Sequence, residues 1–176
     1  MARSCTGLVS EGCRSGRRSV SIVATLKADL LAGLMTLALA LAIIAFAASF
    51  HFYWALGGRA GYSVSLPQRP DGVPVMAHRL LWWRPAAAGV ALGLVALAAL
   101  LLAHSGRLSL PLPLGLTKAA LLAAGLAFVA RALVPNRYVG FFKTLRTTRW
   151  ARFDTRLYSP LFLLLGLLLV ARAWRG

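Results

Sequence analysis

Four stretches of this chain are apolar all the way round, and the polar residues gather between them. The first, residues 30–50, runs twenty-one residues without a charge. As a helix it would be about 32 Å long, enough to cross the hydrocarbon core of a bilayer. The pattern predicts helices over about 29–56, 80–103, 114–134 and 155–174. A soluble helix shows an apolar stripe on one face; helices apolar around their circumference suit lipid as solvent. The predicted fold class is therefore all-α, a polytopic membrane protein built as a bundle of four transmembrane helices (27–176). A Ser/Gly/Arg-rich tail over 1–26 precedes it and is expected to be disordered.

Local signals refine these helices. Gly57-Gly58 is expected to end the first. Pro160 lies early in the fourth, where it is read as a kink or as a first-turn residue. All five tryptophans fall at predicted helix ends or in adjoining loops, the pattern of an aromatic belt. Lys118 and Arg131, near the ends of the third, are expected to snorkel to head groups. Small residues mark the expected packing faces: Gly89 and Gly93 on the second helix, Ala119, Ala123 and Ala127 on the third, Ala38 and Ala42 on the first.

Composition agrees with this reading. Charged residues make up 14% of the chain, against about 25% in soluble domains. The net charge of +16 would point to nucleic acid in a soluble protein. Between apolar helices it points instead to membrane lipids, whose anionic head groups contact basic loops; no nucleic-acid partner is expected. Arg exceeds Lys seventeen to three and Ala is abundant, in keeping with a GC-rich bacterial genome and a multi-pass protein of the plasma membrane. The basic residues divide nine against eleven between the two faces, so they set no orientation. Cys5 and Cys13 are read as unremarkable tail thiols.

Alternation of four helices brings the end of the first and the start of the fourth to one face, together with loops 57–79 and 135–153. That face holds His51, Trp54, Arg59, Asp154 and Tyr158. His51 lies about 7 Å below the predicted helix end, where an imidazole needs a partner. Pairing with Asp154 would satisfy both groups and tune the imidazole for proton transfer, making His51 and Asp154 the candidate catalytic residues. The plainer alternative has Asp154 capping its helix or pairing with Arg152 or Arg156, while His51 bonds a backbone carbonyl. Trp54, Arg59 and Tyr158 are the candidate ligand contacts. His78 adds a third potential ligand at irregular spacing and His104 lies at the opposite face, so no metal is expected. Lys143, Arg146, Arg149 and Arg152 recur every third residue and are read as contacts to lipid phosphates. Nucleotide-binding, zinc-protease, serine-hydrolase and dinucleotide signatures are absent, and no cofactor is expected.

Two segments carry a family resemblance. His51-Phe52-Tyr53-Trp54-Ala55-Leu56-Gly57-Gly58-Arg59, with Gly61 and Leu66-Pro67, is one; Phe153-Asp154-Thr155-Arg156-Leu157-Tyr158-Ser159-Pro160-Leu161 is the other. Together they resemble the domain-of-unknown-function family 3995, small bacterial integral membrane proteins, over roughly residues 30–174. The resemblance implies four spans and no particular activity. The leading expectation is a structural or interaction protein with one ordered polar-aromatic face, partnered by a second copy or another membrane protein. The alternative is a membrane-embedded enzyme or binding protein for a lipid or other hydrophobic ligand, using His51 and Asp154. A small transporter would need a dimer to build a path.

Overall fold

The computed structural model describes residues 8–75 and 82–175, with side chains described at 23–61, 64–75 and 82–175. The elements are α1 (Leu8–Ala55), α2 (Tyr62–Ser65), α3 (Trp83–His104), α4 (Leu114–Leu133), α5 (Arg149–Phe153), a π-helical turn (Asp154–Tyr158) and α6 (Ser159–Arg175). Among the described residues four helices are long and apolar enough to cross a membrane: Val23–Ala55, Trp83–His104, Leu114–Leu133 and Arg149–Arg175. The chain divides into two compact units, Met1–Thr36 and Leu37–Gly176.

In the first unit α1 begins at Leu8, within segment 1–26. Its apolar side chains Val23, Leu26, Leu30, Leu31, Leu34 and Met35 are exposed. The Thr36 hydroxyl donates to the Gly33 carbonyl at 3.0 Å, a bond that satisfies it within its own helix.

In the second unit α1, α3, α4 and α6 share one core. Ala40, Leu101, Leu121, Leu169 and Ala173 are fully buried at its centre, with Ile44 and Leu165 beside them. Backbones come closest between α4 and α6, then between α3 and α4. The α4–α6 approach turns on Gly125 and Gly166. A Cβ on Gly166 would stand 2.7 Å from the Gly125 carbonyl oxygen, and one on Gly125 would stand 2.9 Å from the Gly166 oxygen. The expected packing faces are thereby corrected. Gly89 and Gly93 face open space, and Ala119, Ala123, Ala127, Ala38 and Ala42 are exposed. Small residues permit close approach, but the choice among small stripes belongs to the whole bundle.

The end of α1 is a Schellman turn. Gly58 N–H donates to Tyr53 O at 2.9 Å and Gly57 N–H to Trp54 O at 3.0 Å, with Gly57 in the left-handed region at φ 99°. The Tyr53 ring packs over Gly58, where a Cβ would displace it. Arg84, in the first turn of α3, donates from Nε to the Ala55 carbonyl at 2.9 Å, placing a cation at the negative end of α1.

The fourth apolar helix keeps going across Pro160. Thr148 caps α5, its Oγ1 accepting from Ala151 N–H at 3.1 Å. Ser159 N–H then reaches back five residues to Asp154 O. In a regular α-helix the Pro160 ring would press on the carbonyl four residues earlier. The wider π turn directly before it makes room, so Pro160 sits second in α6 without breaking the helix.

Candidate functional site

Asp154 is fully buried and ties the two sides of the α4–α5 connection together. Its Oδ1 accepts from Arg131 Nη2 at 2.7 Å. Its Oδ2 accepts from Lys143 Nζ at 2.8 Å, Gly140 N–H at 2.9 Å and Ser159 Oγ at 3.2 Å. Lys143 is also buried, at 1% exposure, and spends its other two protons on Gly140 O at 2.9 Å and Thr155 Oγ1 at 2.7 Å. Gly140 is held at φ 85°, and a Cβ there would stand 2.8 Å from Ala132 O, so only glycine brings its N–H to the carboxylate. Arg131 lies over the Phe162 ring, its guanidinium carbon 4.7 Å from the centroid. One carboxylate thus meets two cations in the interior, where each charge depends on the others to offset its desolvation.

This corrects several expectations. Asp154 pairs with neither His51 nor Arg152 nor Arg156, because four other donors occupy its oxygens. Arg131 does not snorkel, and Lys143 is folded inward rather than offered to lipid phosphate. Nor are all tryptophans belt residues. Trp82 and Trp174 are exposed, but Trp54 and Trp150 are buried. Trp150 stacks on Tyr158 with centroids 5.4 Å apart, donates from Nε1 to Tyr138 O at 2.8 Å, and has its own N–H accepted by Gln68 Oε1 at 3.2 Å. Gln68 comes from loop 57–79 and Trp150 follows loop 135–153, so the two loops meet on one face as alternation requires.

His51 makes the bond of the plainer alternative. Its Nδ1 lies 2.8 Å from the Ala47 carbonyl, which can only accept, so Nδ1 carries a proton and Nε2 is the ring nitrogen left for another contact. Among the described residues Nε2 has no hydrogen-bond partner, and neither has the Tyr158 hydroxyl. Trp54 packs edge-on to His51 at 5.2 Å and donates from Nε1 to Ala60 O at 2.9 Å, while Ala60 N–H donates to the Tyr53 hydroxyl at 3.2 Å. These contacts explain the His-Phe-Tyr-Trp segment as a clamp that folds the following Gly-Gly-Arg-Ala turn back onto the helix end.

His51, Trp54 and Tyr158 line one cavity of about 380 Å³. The rest of its wall is almost wholly apolar and comes from all six α-helices and the π turn, with Phe50, Leu94, Phe128, Phe153, Leu157 and Phe162 among the contributors. Its size falls in the range of small-ligand sites, and its few polar groups suit orientation of an apolar guest. Of the sequence candidates, Arg59 is exposed and takes no part in this wall, and Asp154 stands behind it, linked through Arg131 to Phe162. His78 and Cys5 lie outside the described residues, as does the side chain of Cys13. At the opposite end His104 is buried between Thr117 Oγ1, 3.2 Å away, and Arg172 O, 3.3 Å away. Sequence reasoning missed this site and the roles of Arg131 and Lys143. Lys143 carried a weak signal as the one lysine in a loop whose other basic residues are arginines.

Both quoted segments therefore converge on one cavity wall and one buried carboxylate. Residues 43–169 match the sequence model of a family described as protein of unknown function (DUF3995). The chain belongs to that family. The matched range covers the second unit from the middle of α1 to the last turns of α6, and so contains the cavity and the Asp154 cluster of this DUF3995 protein. No curated protein and no solved structure is significantly similar to the chain.

Proposed function

We propose that this DUF3995 protein is an integral membrane protein that binds one hydrophobic ligand between its helices, with His51 and Tyr158 as the polar contacts. The observation that carries this reading is the cavity: an apolar space of about 380 Å³ whose lining includes the His51 imidazole and the Tyr158 hydroxyl, whose Nε2 and Oη have no hydrogen-bond partner among the described residues. The space opens between the helices, with Phe46, Phe50, Val90 and Phe153 of its lining partly exposed, so an apolar guest could enter it from the side. Binding is favoured over acid–base catalysis because the carboxylate nearest the cavity is already occupied by Arg131 and Lys143.

Native mass spectrometry of the full chain, purified in mild detergent from its own membrane, tests this. One retained hydrophobic molecule per chain is expected. Val90→Phe, at a half-exposed position of the lining, should fill the chamber and abolish retention while the protein stays folded. His51→Ala should weaken retention about five-fold, the worth of one hydrogen bond of about 1 kcal/mol. Equal retention by wild type and Val90→Phe would overturn the reading.

A further inference from the structure

We infer that the ligand of this cavity is an anionic lipid, its phosphate held by Arg149, Arg152 and Arg156 and its chain passing Phe153 and Leu157 into the chamber. This rests on the cavity reading above and names the class of molecule that fills it.

A groove of about 400 Å³ is lined by Arg149, Arg152, Phe153, Arg156 and Leu157. Phe153 and Leu157 also line the apolar cavity, so one pair of side chains forms the common wall of a basic groove and an oily chamber. The three arginines fall at i, i+3 and i+7 along α5 and the π turn, which sets them on one face. All are exposed, and among the described residues none has a carboxylate partner. Asp154, the acid nearest in sequence, is spent on Arg131 and Lys143. A smaller groove of about 210 Å³ on the other flank is lined by Arg146, Arg152 and Arg156, so the last two border both. Three exposed guanidiniums on one face, without a carboxylate partner among the described residues, offer planar donor forks that match phosphate oxygens.

Depth points the same way. The helix Arg149–Arg175 has 27 residues, hence a length of about 40 Å against a hydrocarbon core of about 30 Å. Its surplus is the arginine-bearing start, which then lies at the level of lipid phosphates, with the chamber beneath. A free phosphate would satisfy the arginines but leave the chamber empty. A neutral lipid would fill the chamber but leave the arginines bare. An anionic lipid meets both.

The test uses the full chain in neutral detergent micelles and three probes: phosphatidylglycerol with brominated chains, phosphatidylcholine with the same chains, and inorganic phosphate. Bromine near Trp54 quenches its fluorescence, and native mass spectrometry counts bound lipid. Saturable quenching by one phosphatidylglycerol per chain is expected, with phosphatidylcholine roughly ten-fold weaker. The double substitution Arg152→Gln/Arg156→Gln, at exposed positions, should remove that preference, and Val90→Phe should abolish quenching by both lipids. Circular dichroism establishes that each variant is folded. Equal binding of the two lipids, unaffected by the arginine substitutions but lost in Val90→Phe, overturns this inference and leaves the cavity reading standing. Anionic preference that persists in Val90→Phe also overturns it, since the arginines then hold only surrounding head groups. Displacement of phosphatidylglycerol by millimolar inorganic phosphate alone would assign the groove to a soluble anion and overturn the lipid. Absence of any quenching or retained lipid would overturn both readings.

Discussion

Lys143 and Asp154 form an ion pair at 2.8 Å with almost no exposure on either side chain. The lysine comes from a loop and the aspartate from the helix that follows it. Their pairing, with Gly140 N–H and Arg131, is what folds the basic loop 135–153 down onto the helices. Removing one partner of such a pair strands a charge in low dielectric.

Asp154→Asn is therefore expected to destabilise the protein by about 3–5 kcal/mol, because Lys143 and Arg131 lose the one carboxylate they have among the described residues. His51→Ala loses one bond to a carbonyl of its own helix and is expected to cost about 1 kcal/mol. Thermal unfolding in detergent, followed by circular dichroism, ranks the two. A milder effect for Asp154→Asn than for His51→Ala would show that the cluster does not hold the loop.

The glycines separate tight from open approaches. Gly125→Ala and Gly166→Ala force a methyl against backbone of the facing helix and are each expected to cost about 1–3 kcal/mol. Gly89→Ala and Gly93→Ala meet open space and replace a poor helix former, so they should be neutral or stabilising by up to about 1 kcal/mol. Chemical unfolding of the four variants checks this. Destabilisation by the second pair would mean that another surface covers that face of α3.

Gly58→Ala drives a methyl into the Tyr53 ring at a helix end that also carries the Trp54–Ala60 bond. A loss of about 1 kcal/mol is expected, the worth of the Tyr53–Ala60 hydrogen bond that a displaced ring gives up. Trp54→Phe keeps an aromatic side chain but removes the 2.9 Å bond to Ala60 O and the second ring of a buried indole, and should cost about 1–3 kcal/mol. Limited proteolysis within loop 57–79 reports both, as faster cutting when the clamp is loosened.

How far the sequence could be read differs from residue to residue. Hydropathy is a sum over neighbouring positions, so the four apolar helices and the glycine stop after α1 were legible in the order of residues alone. Span alternation then put His51, Trp54, Arg59, Asp154 and Tyr158 at one end, and three of those five, His51, Trp54 and Tyr158, do line one cavity. Partners were not legible. Asp154 had basic residues within two positions on either side, yet it binds Lys143 and Arg131, eleven and twenty-three positions away, because a left-handed glycine and a folded loop bring them to it. The π turn that carries the helix past Pro160, the selection of Gly125 and Gly166 over other small residues, and the shared wall between arginine groove and apolar chamber likewise exist only once the helices are packed. By itself the sequence determined which segments are apolar enough to enter a membrane, a property each segment has alone. Which charges are buried, and against what, was decided by tertiary structure, because desolvation and hydrogen bonding depend on atoms that the chain brings together only on folding.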